Sequence, residues 1–263
     1  MHRRVAPAVV ALCGSLVLGG LAASDASAAG DGPKITKVVV NGGKNIVVGP
    51  TAVTHFTATV TASDTAAGVK LTWLDLWHGS GAYDDHDGAI ARAGELKCTV
   101  VSSTTTTCTS SFQVKANARA YTNEVANALA GIWHVSPGAV SGNRVQSSDY
   151  SYSTVKVQRA SQLTVDATPE PVKKGKTVTV TGKLSRANWD THKYAGYSGQ
   201  PVKLQFRKKG SSTYTTIKTV TTSSTGTLKT TVKASADGYY RYSFAGTTTT
   251  PAVNSSGDFI DVR

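Results

Sequence analysis

The C-terminal half of the chain contains the stretch that decides its fold, Thr177-Val178-Thr179-Val180-Thr181-Gly182-Lys183-Leu184. Threonine and valine alternate here with a period of two, so the valines fall on one face of an extended strand and the threonines on the other. Threonine suits the exposed face because its β-branched side chain fits a pleated surface. The stretch therefore predicts a β-strand with one buried face and one face in water.

Six further segments of this half show the same alternation and are separated by turn residues. They are residues 163–167, 202–206, 214–220, 228–232, 240–244 and 259–262. Lys209-Gly210 and Asp237-Gly238 supply two of the turns. Seven strands at this spacing predict a two-sheet antiparallel sandwich.

The preceding half repeats this plan less regularly. Val69, Leu71 and Trp73 alternate, and Trp73 is the candidate for the large aromatic of a sandwich core. Asn41-Gly42-Gly43 stands between two short valine-rich runs, which predicts a tight hairpin. We expect an all-β protein of two tandem immunoglobulin-like or fibronectin-like antiparallel β-sandwiches, at residues 29–160 and 161–263.

Residues 1–28 predict a cleavable export signal. A basic start at residues 2–4 is followed by an apolar run at residues 9–21 and by the A-x-A cleavage site at residues 26–28. Cleavage leaves 235 of the 263 residues, which suffices for two domains of roughly 100 to 130 residues. No later run approaches the roughly 20 apolar residues of a membrane span, so we expect a secreted, soluble protein.

Cys98 and Cys108 are the two cysteines that remain after cleavage. An even pair in an oxidising compartment favours a disulfide over free thiols or a metal site. The nine intervening residues suit a hairpin that places the cysteines directly across from each other. The sequence predicts a local Cys98–Cys108 disulfide.

Charge is unevenly distributed between the two predicted sandwiches. The formal charge is +12; residues 29–160 contain 11 Lys and Arg against 9 Asp and Glu, whereas residues 161–263 contain 15 against 6. A basic exterior attracts anionic partners, which outside a cell are wall polymers and acidic polysaccharides rather than nucleic acid. We expect such a polymer, or another extracellular protein, as the partner. The alternative is that the charge serves solubility alone.

No arrangement typical of an enzyme occurs in the sequence. It lacks both H-E-x-x-H and G-x-S-x-G. Ser80 lies near His78 and Asp84, but a triad is defined by geometry and not by proximity in sequence. The three glutamates are too scattered to suggest a glycosidase pair. The sequence predicts a non-enzymatic protein with no catalytic residues.

An acidic cluster, Tyr83-Asp84-Asp85-His86-Asp87-Gly88, follows the strand that contains Trp73. Asp84, Asp85 and Asp87 offer oxygen ligands of the kind that calcium prefers, and the glycine permits a sharp turn. The spacing is not that of an EF-hand, and no cofactor other than calcium is indicated. The alternative is a solvated surface loop.

A long polar stretch between residues 184 and 202 contains aromatic side chains and predicts a binding edge. Aromatic platforms are expected at Trp189, Tyr194 and Tyr197, and cationic side chains that attract an anionic polymer at Arg186, Lys193, Lys208 and Lys209. The alternative is a loop that folds its own aromatic side chains beneath itself.

Several segments of the C-terminal domain are similar to a known module. They read TPEPVKKGKT at residues 168–177, LQFRKKG at 204–210, DGYYR at 237–241 and GDFIDVR at 257–263. They resemble the immunoglobulin-like module that recurs in secreted actinobacterial proteins. The resemblance implies a β-sandwich and export, and no assigned chemistry.

These features predict a secreted, non-enzymatic binding module that is adhesive or accessory, at the cell envelope or in the medium. One alternative is an extracellular calcium-binding protein that uses the loop at residues 84–87. Another is a secreted protein-binding or inhibitor module.

Overall fold

The computed structural model describes residues 32–263, and the predicted export signal lies outside the described residues. Apart from strands, this part of the chain forms three single-turn 3-10 helices, Asn41–Gly43, Tyr83–Asp85 and Asn127–Leu129. None of its helices is long and apolar enough to cross a membrane. The protein is all-β.

Eleven strands form the N-terminal sandwich. They are β1 (Lys34–Val40), β2 (Ile46–Val48), β3 (Thr54–Ser63), β4 (Val69–His78), β5 (Gly88–Ile90), β6 (Lys97–Val100), β7 (Thr105–Ala116), β8 (Glu124–Val125), β9 (Gly131–Ser141), β10 (Gln146–Ser148) and β11 (Ser153–Arg159). One sheet has the order β1-β3-β7-β6 with β8 beside β7, and the other has the order β2-β11-β9-β4-β5 with β10 beside β9. Buried residues from both sheets form one core.

The predicted hairpin at Asn41-Gly42-Gly43 is wrong. Strand β1 pairs with β3 in one sheet, whereas β2 pairs in parallel with β11 in the other. All three residues of the connecting turn have positive φ angles, of 49°, 60° and 79°. This left-handed turn carries the chain from one sheet to the other, so the two runs never meet.

Trp73 is half-buried on the outer face of β4 and not in the core, contrary to the prediction. The register between β4 and β9 shifts between Val69 and Leu71, so the side chains after the shift change faces. Beyond the shift, Leu74 and Leu76 point into the core. The large core tryptophan of this sandwich is Trp133, which is fully buried.

The disulfide prediction is confirmed. Cys98 on β6 lies directly across from Cys108 on β7, and their sulfur atoms are 2.03 Å apart. The buried Cys108 sulfur also accepts a hydrogen bond from the backbone N–H of Thr72, at 3.3 Å. The bond therefore closes a hairpin and contacts strand β4 of the opposite sheet.

Ten strands form the C-terminal sandwich. They are β12 (Ser161–Leu163), β13 (Asp166–Thr168), β14 (Thr177–Asn188), β15 (Lys193–Gly196), β16 (Pro201–Lys208), β17 (Thr215–Thr221), β18 (Thr227–Lys233), β19 (Gly238–Phe244), β20 (Val253–Asn254) and β21 (Asp258–Ile260). One sheet has the order β12-β14-β13 with β15 and β18 beside β14, and the other has the order β17-β16-β19-β20 with β21 beside β19. As the alternation predicts, Val178 and Val180 are fully buried.

The junction between the sandwiches is packed and hydrogen-bonded. Ala187 and Trp189 at the end of β14 belong to the N-terminal core. Trp189 Nε1 donates to the Val48 carbonyl at 3.1 Å, and its backbone N–H donates to Asn127 Oδ1 at 2.9 Å. Arg159 Nε donates to the Ala187 carbonyl at 2.6 Å, and burial, together with the nearby Arg186 charge, lowers the pKa of Arg159 to about 10. The two sandwiches are thus joined by apolar burial as well as by chain continuity.

Candidate functional site

The long stretch after residue 184 is a hairpin and not a free loop. Strand β14 continues to Asn188, and β15 returns along it. Trp189 follows β14 and is fully buried against the N-terminal core, so its prediction as a ligand platform is wrong. At the same tip, His192 Nδ1 donates to the Pro50 carbonyl at 3.0 Å. The hairpin tip of the C-terminal sandwich therefore packs against the N-terminal sandwich and hydrogen-bonds to it.

Two more residues of the predicted binding edge make contacts within the sandwich. The Arg186 guanidinium carbon lies 3.9 Å from the centre of the Tyr197 ring. The Tyr197 ring packs edge-on against Phe244, at 5.8 Å between centroids. Lys193 and Tyr194 on β15 remain exposed. Of the three predicted aromatic platforms, only Tyr194 keeps more than a third of its surface in solvent, at 38%.

Lys208 and Lys209 lie at the opposite end of the C-terminal sandwich. Lys208 pairs with Gly238, and Lys209 lies 3.6 Å from the Asp237 carboxylate. Asp237 and Gly238 come shortly after strand β18. The last residue of β18, Lys233, pairs with the first residue of β14, Thr177, so Lys208 and Lys209 lie near the start of β14. The 12 residues of β14, about 35 Å of strand, separate that end from Lys193. The predicted set therefore does not form one site.

The structure instead brings five other side chains together beside Lys209. They form what we call the arginine–aromatic face: Arg207, Tyr214, Tyr239, Arg241 and Phe259. The guanidinium carbon of Arg241 lies 3.8 Å from the Tyr214 ring centre, and that of Arg207 lies 4.2 Å from the Tyr239 ring centre. Tyr239 and Phe259 lie 5.1 Å apart between centroids. Each distance is within the range of a cation–π or aromatic contact.

Strand register explains this arrangement. Arg207 on β16 pairs with Tyr239 on β19, which pairs in turn with Phe259 on β21. Their neighbours Tyr240 and Ile260 are buried in the core. Because side chains alternate between faces, the core positions force the arginine and the two rings onto the outer face of the sheet.

Neither arginine of this face has a carboxylate within 4.0 Å among the described residues. Arg241 Nε donates to Gln205 Oε1 at 2.8 Å, and one terminal nitrogen of Arg207 donates to the Ser211 carbonyl at 2.6 Å. A guanidinium has five N–H donors, so most donors of both groups have no protein acceptor in the described part of the chain. The face holds two oriented cations with donors available to an anion.

This face escaped sequence analysis because its members come from four separate segments. The sequence did contain one indication of this face. Arg207, Tyr239 and Arg241 occupy the outward-facing positions of alternating strands, where most strands of this domain have threonine or lysine. Lys209, which the sequence did indicate, lies at its edge, with its Nζ 5.5 Å from the Phe259 ring centre.

The three aspartates of the predicted calcium site do not gather into a metal-binding cluster in the described residues, and calcium binding stays a prediction. In residues 32–263 no three His, Cys, Asp or Glu side chains gather in a way that would hold a metal ion. Asp84 and Asp85 are exposed in a 3-10 turn, whereas the Asp87 carboxylate lies 2.6 Å from His78 Nδ1. Of the three aspartates, Asp87 is the one paired with a histidine among the described residues.

Comparison with known proteins gives likenesses of structure only. No family model and no curated protein matches the sequence. The three N-terminal domains of the highly immunogenic outer capsid protein of bacteriophage RB49 are 12% identical, with a TM-score of 0.31 over 88% of this chain and 71% of that chain. The D00-D0 domain of intimin is 12% identical, with a TM-score of 0.26 over 85% of this chain and 99% of that chain.

The full ectodomain of mouse nectin-like molecule 4 is 11% identical, with a TM-score of 0.27 over 88% of this chain and 65% of that chain. At these identities and TM-scores no ligand, partner or function is transferred. The predicted all-β sandwich fold is confirmed by the strands and sheets of residues 32–263. The resemblance to actinobacterial modules stays a prediction.

Proposed function

We propose that this protein is a secreted, non-enzymatic binding module that holds an anionic polymer of the cell envelope through its arginine–aromatic face. The polymer carries phosphate, sulfate or carboxylate groups. The predicted export signal at residues 1–28 and the Cys98–Cys108 disulfide support an extracellular setting.

The observation that carries the proposal is the state of Arg207 and Arg241. Each guanidinium lies on an aromatic ring and has no carboxylate partner within 4.0 Å among the described residues. Rings that hold a guanidinium reduce the conformational entropy that an arginine loses when it binds, so the site is pre-organised for an anion. A planar guanidinium also matches the paired oxygens of phosphate, sulfate or carboxylate.

The surrounding charge supports the same class of ligand. The C-terminal domain has 15 basic residues against 6 acidic ones. Lys203 on β16 lies two residues from Gln205, on the exposed side of the same strand as Arg207. A polymer with regularly spaced anions is attracted along such a face, and the two arginines provide contacts of defined geometry.

The proposal is tested by binding of the full mature chain to inorganic polyphosphate and to heparin, with neutral dextran as the control polymer. Arg241→Lys keeps the charge but removes the planar guanidinium, and we expect it to weaken binding about five- to tenfold, or roughly 1 to 1.4 kcal/mol. Lys229→Gln, on the opposite sheet, removes a charge outside the face and serves as the matched control. We expect it to change binding less than twofold.

Measuring binding at several salt concentrations distinguishes general electrostatic attraction from the specific contacts of the two arginines. Raising the ionic strength to about 0.15 M shortens the Debye length to about 8 Å and weakens binding of every variant. The ratio between the unmodified chain and Arg241→Lys should persist, because both carry the same charge and salt screens both alike. Undiminished binding by Arg241→Lys would reduce the site to diffuse charge, and no binding to either polyanion would overturn the proposal.

A further inference from the structure

The outer face of the N-terminal sandwich holds a pocket, remote in sequence from the arginine–aromatic face. It is a cavity of about 240 Å³ between β4, β5, the acidic loop and the segment around Thr122. Its lining includes Asp75, Trp77, Tyr83, His86, Ala91 and Thr122. At about 30 Å³ per water molecule, the volume suits a group of roughly five to eight heavy atoms.

Asp75 gives this pocket its chemistry. It stands on the outer face of β4 between Trp73 and Trp77 and is half-buried. Among the described residues its carboxylate accepts no hydrogen bond and has no cation within 4.0 Å. Burial raises the pKa of Asp75, and the more distant Arg92 only partly offsets this effect. A half-buried carboxylate without a partner is a site that a cation would stabilise.

Aromatic and acidic groups surround that carboxylate. Tyr83 packs edge-on against Trp77, at 5.9 Å between centroids, and lies 4.7 Å from Tyr150. His86 Nδ1 donates to the Tyr83 carbonyl at 2.7 Å, which leaves Nε2 of a neutral ring as an acceptor. Burial raises the pKa of Tyr83, and the negative charges of Asp75 and Asp84 add to the increase. The pocket therefore contains one carboxylate, that of Asp75, and is lined by aromatic and imidazole rings.

We infer that this pocket binds the ammonium end of an alkylammonium ligand, with Asp75 as the counter-ion and Tyr83 as the aromatic contact. Rings and a carboxylate together are the groups that recognise organic cations. A sugar fits less well, because stacking needs an open ring face. Trp77 is only 2% exposed, and His134 covers it at 4.0 Å between centroids. The cavity admits an end group and not a whole drug-sized molecule.

The test uses the full mature chain and n-butylammonium as the probe, followed by amide and indole chemical shifts. We expect saturable shifts concentrated at Asp75, Trp77 and Ala91. Asp75→Asn should weaken the apparent affinity at least tenfold. Glu95→Gln, which removes an exposed carboxylate of the same sandwich outside the cavity lining, should change it less than twofold.

The neutral isostere n-butanol distinguishes a cation site from an apolar one, and equal amounts of sodium chloride control for ionic strength. Butanol should bind at least tenfold more weakly than butylammonium. The inference is overturned if butanol binds as well as butylammonium, if Asp75→Asn binds undiminished, or if butylammonium does not bind. Because the pocket and the arginine–aromatic face are on different sandwiches, failure of either proposal leaves the other standing.

Discussion

The indole nitrogen of Trp189, in the C-terminal sandwich, donates a hydrogen bond of 3.1 Å to the carbonyl oxygen of Val48, in the N-terminal sandwich. The contact joins residues 141 positions apart in the chain and is fully buried on the indole side. The Trp189 side chain lies in the core of the N-terminal sandwich. The stability of each sandwich therefore depends on that of the other.

Trp189→Ala should destabilise the protein by about 3 to 5 kcal/mol, the range measured for removal of a buried tryptophan or phenylalanine. Because the lost contacts join the two sandwiches, calorimetry should show two transitions in place of one coupled transition. Tyr194→Ala, on the exposed strand of the same hairpin, is the control and should change stability by less than about 0.5 kcal/mol. An unaltered melting curve for Trp189→Ala would contradict the shared core.

Tyr214 holds Arg241 in place, with the guanidinium carbon 3.8 Å from the ring centre. Tyr214→Ala removes no charge, yet it should weaken polyphosphate binding about two- to fivefold, because a cation–π contact of about 0.5 to 1 kcal/mol no longer orients the arginine. Tyr214→Phe keeps the ring and should bind like the unmodified chain. Equal loss in both variants would assign the effect to the hydroxyl instead of the ring.

The disulfide between Cys98 and Cys108 closes a loop with a sequence separation of 10. Reduction, or the double change Cys98→Ser and Cys108→Ser, should lower the free energy of unfolding by about 2 to 3 kcal/mol. Intact-mass measurement should find the secreted chain lighter by two hydrogens than its fully reduced form. Two thiols that react with an alkylating reagent before reduction would refute the bond.

Asp75→Asn should raise the melting temperature at neutral pH. Burial raises the folded-state pKa of Asp75 above its unfolded value of 3.8, so the charged form destabilises the fold once the pH exceeds the folded pKa. Below pH 3.8 the carboxyl is protonated in both states, and the difference should vanish. The charged or titratable groups around it, Arg92, Tyr83, His86 and Asp84, are unchanged in the variant. A melting-temperature difference that stays constant from pH 3 to pH 7 would contradict this account.

Calcium should leave the melting temperature of the full chain unchanged, and so should a chelator. Asp87 lies against His78 Nδ1 at 2.6 Å, and no metal-binding group forms in residues 32–263. A ligand that binds only the folded state would raise the melting temperature with its concentration. A calcium-dependent rise that disappears when Asp85→Asn and Asp87→Asn are combined would restore the calcium hypothesis.

Strand content and the disulfide hairpin were predictable, because both depend on local patterns. Val178 and Val180 lie in the core, as the alternation of valine and threonine indicated, and Cys98 lies across a short hairpin from Cys108. Trp73 shows where local patterns fail. One register shift near Val69 reverses the faces of the strand, and nothing in the alternation of apolar residues reveals which residue is the extra one.

For the binding residues, too, some properties were predictable from the sequence and others depended on the tertiary structure. Sequence composition determined that the C-terminal domain is basic and that its strands are amphipathic, because charge and period are properties of the residues themselves. Tertiary structure alone decided that Trp189 is buried and that Arg207, Tyr239 and Arg241 share a surface. Burial of an aromatic residue in a polar stretch depends on which other segment covers it. A cluster assembled from separate strands depends on their register, which is set by long-range pairing and core packing.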